Sequence, residues 1–287
     1  MRAGGGWAAS WFHAIVLGII EGLTEFLPVS STGHITIAEQ LIGYPVSSPA
    51  ITAFTAVIQL GSILAAVVFF GRDILRIAGA WIRGIADPKA RTLPDYRMGW
   101  NVIVGSIPIA VVGLLGKDLI EGPLRSLWVV VAGLLGWSAV MWLADRRTAV
   151  PGRGEASINL LDAVVVGLVQ CCSLVPGVSR SGATISAGLL RGIDRPTATR
   201  FSFFMGIPAL IAAGGLEAVS QAGTISATIG WGPVLIGIVV AFITGYASIA
   251  WLLRFVSRHT FTAFIVYRIA AAGVLVWLLC SGLVAAG

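Results

Sequence analysis

Glu21-Gly-Leu-Thr-Glu25-Phe-Leu-Pro28-Val-Ser30-Ser31-Thr32-Gly33-His34 interrupts an apolar run that begins at Trp11 and ends before it can cross a membrane. A hydrocarbon core takes about 20 apolar residues per helix. Here two carboxylates, a proline and a row of hydroxyls intervene first. A similar interruption, Pro176-Gly177-Val-Ser179-Arg180-Ser181-Gly182-Ala-Thr184, closes the apolar run 160–175. Pro and Gly stop an incoming half-helix, and Ser and Thr are N-cap types for an outgoing one. Each stretch therefore reads as the tip of a re-entrant hairpin, 11–43 in the first case and 160–192 in the second.

The rest of the chain supports that reading. Of 287 residues, 57% are hydrophobic and 11% charged, too few charges to clothe a water-soluble domain of this size. Six stretches are long and apolar enough to span a bilayer: 50–70, 102–116, 127–144, 201–219, 234–253 and 261–279. We expect an all-α polytopic protein with a single membrane domain over 1–287. The net charge of +6 lies in loops, so it speaks for membrane orientation and against nucleic acid. Fourteen of the 19 basic residues sort into four connections: 72–97, 146–153, 191–200 and 254–258. The alternate face has only Arg2, Lys117 and Arg125. By the positive-inside rule the four connections are cytoplasmic and both termini outside. The three cysteines, two of them adjacent, form neither a disulfide framework nor a metal spacing.

Shifting the sequence by 149 residues, so that Ser30 faces Ser179, aligns 14–43 with 163–192 without a gap and matches Gly18, Gly33 and Gly43 with Gly167, Gly182 and Gly192. This implies a duplication: repeat 1 over 11–145 and repeat 2 over 158–280. Each repeat holds a hairpin and three crossings. Three is odd, so the second copy is expected to be inverted, which brings both tips together near the midplane.

Outgoing helices present unpaired N–H groups and a positive dipole end, and these bind anions. With Arg180 between them, two such ends suit a phosphate or diphosphate. Ser30, Thr32 and Gly33 from one tip and Ser179, Ser181, Gly182 and Thr184 from the other are the expected substrate-binding residues. Glu21 and Glu25 are four residues apart on one helix face, where their repulsion in low dielectric needs an opposing charge. A divalent cation, Mg²⁺ or Ca²⁺, held by both carboxylates supplies it; proton sharing, or pairing with Arg180 or His34, is the other solution. Ser31 is the expected nucleophile, with His34 three residues on exchanging its proton; attack by metal-bound water is the rival. Arg268, inside the last span, is a further substrate-binding candidate, and Gln59 is a similar case. His13, His259 and Glu217 fall near membrane boundaries and read as interfacial.

At EGLTEFLPVSSTGH (21–34) and PGVSRSGATIS (176–186) the chain resembles the bacterial undecaprenyl-diphosphate phosphatases, also called bacitracin-resistance proteins, and the likeness runs from about 14 to 271 through IQLGS, SIPIAVVGLL, FSFFMGIP and YR. The resemblance implies hydrolysis of the C55 isoprenoid diphosphate to monophosphate and phosphate, recycling the carrier of cell-wall precursors, at a site in the inner membrane reached from the periplasmic or external side. It assigns the acidic pair to Glu21 and Glu25, the histidine to His34, the phosphate-binding arginine to Arg180 and the serines to Ser30, Ser31, Ser179 and Ser181. A competing expectation is a transporter or flippase of a lipid phosphate, since inverted repeats and broken helices also build secondary transporters. The expected partners are the lipid diphosphate and the membrane, with a homodimer left open.

Overall fold

The structure, a computed structural model, describes residues 10–44, 48–116, 119–120, 122, 124, 126–148 and 152–286. Arg2, Lys117 and Arg125, which the charge sorting assigns to the outer face, lie outside the described residues. Helices α1 (Ser10–Phe26) and α2 (Ser31–Ile42) form the first broken hairpin, followed by α3 (Pro49–Phe69), α4 (Gly71–Ala86), α5 (Pro94–Leu115) and α6 (Leu127–Arg146). The second hairpin is α7 (Leu160–Gln170), a 3₁₀ turn over Cys171–Leu174, and α8 (Arg180–Leu190). Helices α9 (Arg195–Thr228), α10 (Trp231–Val256) and α11 (Thr262–Cys280) complete the chain.

Six of these helices, α3, α5, α6, α9, α10 and α11, are long and apolar enough to cross a membrane, and they coincide with the six spans read from the sequence. The protein is an all-α polytopic membrane protein. Helix ends run past the apolar windows: α5 begins at Pro94 and α9 at Arg195. Hydropathy marks the hydrocarbon layer, whereas backbone hydrogen bonding carries a helix on into the polar interface.

One element departs from the sequence reading. The stretch after α3, taken as part of a basic connection, forms the amphipathic helix α4. Ile77, Ala80 and Gly84 are buried on one face, with Arg72, Arg76 and Arg83 elsewhere around the turn. Its charges hide it from a hydropathy window, although the 3.6-residue period is present. The four basic connections meet at one end of the bundle. Arg200 reaches Asp73 at 3.1 Å and Glu155 at 3.3 Å, Arg195 reaches Asp145 at 2.6 Å, and the second carboxylate oxygen of Asp145 accepts the N–H of Phe261 at 3.0 Å.

Equivalent helices of the two halves exchange partners. Helix α1 packs along α10 as α7 packs along α5, and the pairs α3–α9 and α6–α11 also pack together. Repeat-equivalent glycines make the first two approaches possible. A Cβ on Gly18 would come within 2.8 Å of the Gly237 carbonyl oxygen, and one on Gly167 would overlap the Gly105 backbone. Without a hydrophobic force between helices in lipid, such close contact is what makes association favourable. The bases of the hairpins have different surroundings. Gln40, near the base of the first, donates to the Ala285 carbonyl at 3.2 Å. Asp162, at the base of the second, binds Arg153 and Arg191 of the basic connections at 2.6 and 2.8 Å.

Candidate active site

The two tips touch. Among the described residues, Ser30 (φ 76°) and Ser179 (φ 75°) are the non-glycine residues with positive φ, a left-handed conformation that costs an L residue of order 1 kcal/mol or more. Each sits immediately before an outgoing helix, where the left-handed turn redirects the chain into α2 and α8. Ser179 caps α8, its Oγ accepting from the Gly182 N–H at 3.2 Å. Ser30 makes no such cap; its Oγ accepts from the Gly177 N–H of the opposite tip at 3.1 Å.

Between the tips lies a cavity of about 210 Å³ lined by Glu25, Ser30, Ser31 and Thr32 from the first, by Ser173, Leu174, Val175, Pro176, Ser179 and Arg180 from the second, and by Gln59 and Leu210. The centre of the polar network is Glu25, 7% exposed. Ser31 Oγ donates to its Oε2 at 2.8 Å, and the Arg180 guanidinium approaches its Oε1 at 3.3 Å. Arg180 reaches this position because Gly206 leaves room: a Cβ there would overlap the guanidinium. Glu21, one turn before Glu25, is 5% exposed, and its Oε1 is buried with no hydrogen-bond partner. It lies close enough to Glu25 and Arg180 to feel both charges, with Ser62 beside it.

The other expected site residues fall into two groups. Ser181 supports the second tip, its hydroxyl 3.1 Å from that of Ser179, and Thr184 binds Ser202 at 2.5 Å; with Gly33 and Gly182 they are buried behind the cavity wall. His34 is turned away from Ser31. Its Nδ1 donates to the Ser30 carbonyl at 2.8 Å, which leaves Nε2 of a neutral ring to accept from Tyr267 Oη at 2.7 Å. Three residues' separation puts two side chains near one face, but the strained start of α2 sets their directions, and Ser31 points back at α1. Arg268 is also displaced from its expected role. It is fully buried, is not among the cavity-lining residues, and spends its donors on protein oxygens. The sequence reading missed Gly206, Ser173 and Tyr267. Ser173, in the broken segment before Pro176, could have been found from its place in the tip; Gly206 and Tyr267 lie in the stretches FSFFMGIP and YR that carry the family likeness, but nothing in those stretches says which side chain each would meet.

A second cavity, about 200 Å³, lies between α4, α5 and α9, with Ile77, Trp81 and Phe204 in its walls. It is lined by apolar residues and has no titratable group to act on a phosphate.

Among the described residues no cluster of three or more His, Cys, Asp or Glu could enclose a metal ion. The donor set of Glu21 and Glu25 nevertheless suits a Mg²⁺-like ion, which takes one or two carboxylates and completes its shell with phosphate oxygens and water. The orphaned Glu21 Oε1 is an unpaired donor oxygen, one turn behind the Glu25 that lines the cavity.

This geometry coincides with a family match. The model of the family described as Bacitracin resistance protein BacA covers residues 14–274. The chain belongs to this family. Its relatives include the undecaprenyl-diphosphatase of Cutibacterium acnes, 54% identical over 284 residues that cover 96% of this chain and 100% of that protein. The undecaprenyl-diphosphatase of Acidothermus cellulolyticus is 54% identical over 271 residues (94% and 97%), and undecaprenyl-diphosphatase 3 of Frankia casuarinae 50% identical over 274 (96% and 98%).

Proposed function

We propose that this BacA-family protein is a membrane-embedded undecaprenyl-diphosphatase that releases inorganic phosphate from the C55 lipid diphosphate and returns the monophosphate carrier to cell-wall synthesis. The observation that carries the reading is the junction at Glu25: a serine hydroxyl on one carboxylate oxygen and a guanidinium at the other, inside a cavity between two helix N-termini. A binding site for an anion needs the N-termini and the arginine. It does not need a hydroxyl hydrogen-bonded to a buried carboxylate, which is the arrangement that activates a nucleophile.

In this mechanism Arg180 and the N–H groups at the starts of α2 and α8 hold the terminal phosphoryl group. Ser31 Oγ attacks its phosphorus, the bond to the bridging oxygen breaks, and the lipid monophosphate leaves. Glu25 takes the Ser31 proton, a role the 2.8 Å contact favours over His34. Water then cleaves the phosphoserine to free phosphate. His34, tied to the Ser30 carbonyl and Tyr267, orients the tip. A divalent cation bound by Glu21 and Glu25 would neutralise charge on the diphosphate.

The proposed placement follows the charge sorting and the exchange of helix partners. The halves are inverted copies in the bacterial inner membrane, with the basic connections cytoplasmic and the cavity facing the external or periplasmic side. Purified protein incubated with a soluble short-chain prenyl diphosphate should release phosphate, lose that activity with a chelator and regain it with Mg²⁺ or Ca²⁺. Absence of phosphate release, with lipid phosphate crossing vesicles that contain the protein, would instead establish the transporter. Full activity in chelator would remove the cation and leave proton sharing between the carboxylates.

A further inference from the structure

Arg268 lies on α11, 88 residues after Arg180 in the chain, and its side chain is completely buried. A charged group at membrane depth is expensive and persists where it binds something. Its Nη1 donates to the Pro28 carbonyl at 3.2 Å and its Nη2 to the Gly177 carbonyl at 2.8 Å. Pro28 and Gly177 are the same position of the two repeats, each two residues before the strained serine of its tip. The same guanidinium donates to the carbonyls of Gly133 and Leu134 at 3.1 and 3.2 Å, and through Nε to Ser138 Oγ at 3.1 Å.

We propose that Arg268 is a positioning residue that locks the two tips to one another and to α6, holding Ser31 and Arg180 in register across the cavity. Three features converge on this role. Both tips are held at a conformation their backbone resists, so an external tie is needed to keep it populated. The carbonyls two residues before the two serines are bound by one rigid, planar set of donors, which fixes their separation as a flexible ammonium could not. The second link, Gly177 N–H to Ser30 Oγ, joins the same two tips. The proposal rests on the phosphatase reading, because register matters most to a reaction whose nucleophile and anion binder come from different tips.

Arg268→Lys keeps the charge and loses the fork. In purified, folded protein, kcat for a short-chain prenyl diphosphate should fall about 100-fold, the scale of a displacement of about 1 Å at a reacting pair, with KM within about twofold. A large rise in KM with kcat retained would make Arg268 a substrate ligand and overturn the proposal. Wild-type kinetics in the folded fraction, with only a lower Tm, would reduce it to a packing residue. Should Arg268→Lys not fold, Ser138→Ala removes a single support of the guanidinium. A kcat lower by about fivefold at unchanged KM is then expected, and wild-type kcat would overturn the proposal. A readout independent of activity separates this from failure of the phosphatase reading. Spin labels at Thr32→Cys and Ser173→Cys, with Cys171, Cys172 and Cys280 changed to alanine, should show one narrow inter-tip distance that broadens when Arg268→Lys is added. An unchanged distribution would refute the lock even if wild-type protein released no phosphate.

Discussion

Ser31 and Arg180 occupy the same position of the two repeats, the first residue of an outgoing helix after a serine in the left-handed region. They bind opposite oxygens of one carboxylate, Ser31 at 2.8 Å and Arg180 at 3.3 Å. On the proposed mechanism, two equivalent helix starts differ by one side chain and so divide the labour: the first tip would carry the group that attacks and the second the group that holds. The serines before them diverge as well. Ser179 closes its own helix, whereas Ser30 reaches across to Gly177. A symmetric site would bind phosphate from two sides; an asymmetric one can also act on it.

The largest expected effect breaks the first tip. Ser31→Ala should lower kcat about 1,000-fold while the protein still binds inorganic phosphate; near-normal kcat at saturating substrate would hand the attack to water. Arg180→Lys, at the equivalent place, should instead raise KM and lower kcat/KM about 100-fold, because an ammonium cannot offer the planar fork that phosphate oxygens take from arginine. If both substitutions gave the same kinetic signature, the division of labour would be wrong. Gly206→Ala tests the second tip from outside. The added methyl must push the guanidinium aside, and a loss of about tenfold in kcat/KM with little change in Tm is expected; wild-type kinetics would mean that Arg180 has another seat.

Effects on stability rather than on turnover concern the bases of the hairpins, where the repeats differ again. Asp162 is fully buried between Arg153 and Arg191, and the repeat-equivalent His13 accepts from or donates to Tyr44 Oη at 2.7 Å. Asp162→Asn leaves two partly exposed arginines without their counter-charge and should destabilise the protein by about 2 kcal/mol, solvent screening taking the rest. Tyr44→Phe removes one neutral hydrogen bond and should cost about 1 kcal/mol. Thermal unfolding in detergent measures both. Equal losses would show that the charged base is no firmer than the neutral one.

The crossings and the tips were legible because each depends on local composition. Twenty apolar residues leave a helix few alternatives in lipid, and proline, glycine and hydroxyls at a fixed spacing break one anywhere. The acidic pair and Arg180 stood out for the same reason, since a charge inside an apolar run needs no neighbour to be noticed. Helix α4 escaped because arginines on one face lowered its average hydropathy without disturbing its period. His34 was expected to serve Ser31 and faces Tyr267 instead, because side-chain direction at a helix start follows the φ of the residue before it, and a serine at φ 76° is not visible in a sequence.

What the sequence determined by itself was therefore an inventory: six spans, two interrupted hairpins, a duplicated motif and the charged groups set within it. Tertiary structure decided the partners. Glu25 receives Ser31 and Arg180 from two tips 149 residues apart, Gly206 makes room for the guanidinium, and Arg268 turns from the cavity to bind Pro28 and Gly177. The physical reason is one of range. Hydropathy and helix breaking are summed over neighbours along the chain, whereas a hydrogen bond is made or lost within a few tenths of an ångström between atoms that only the packing of distant helices brings together.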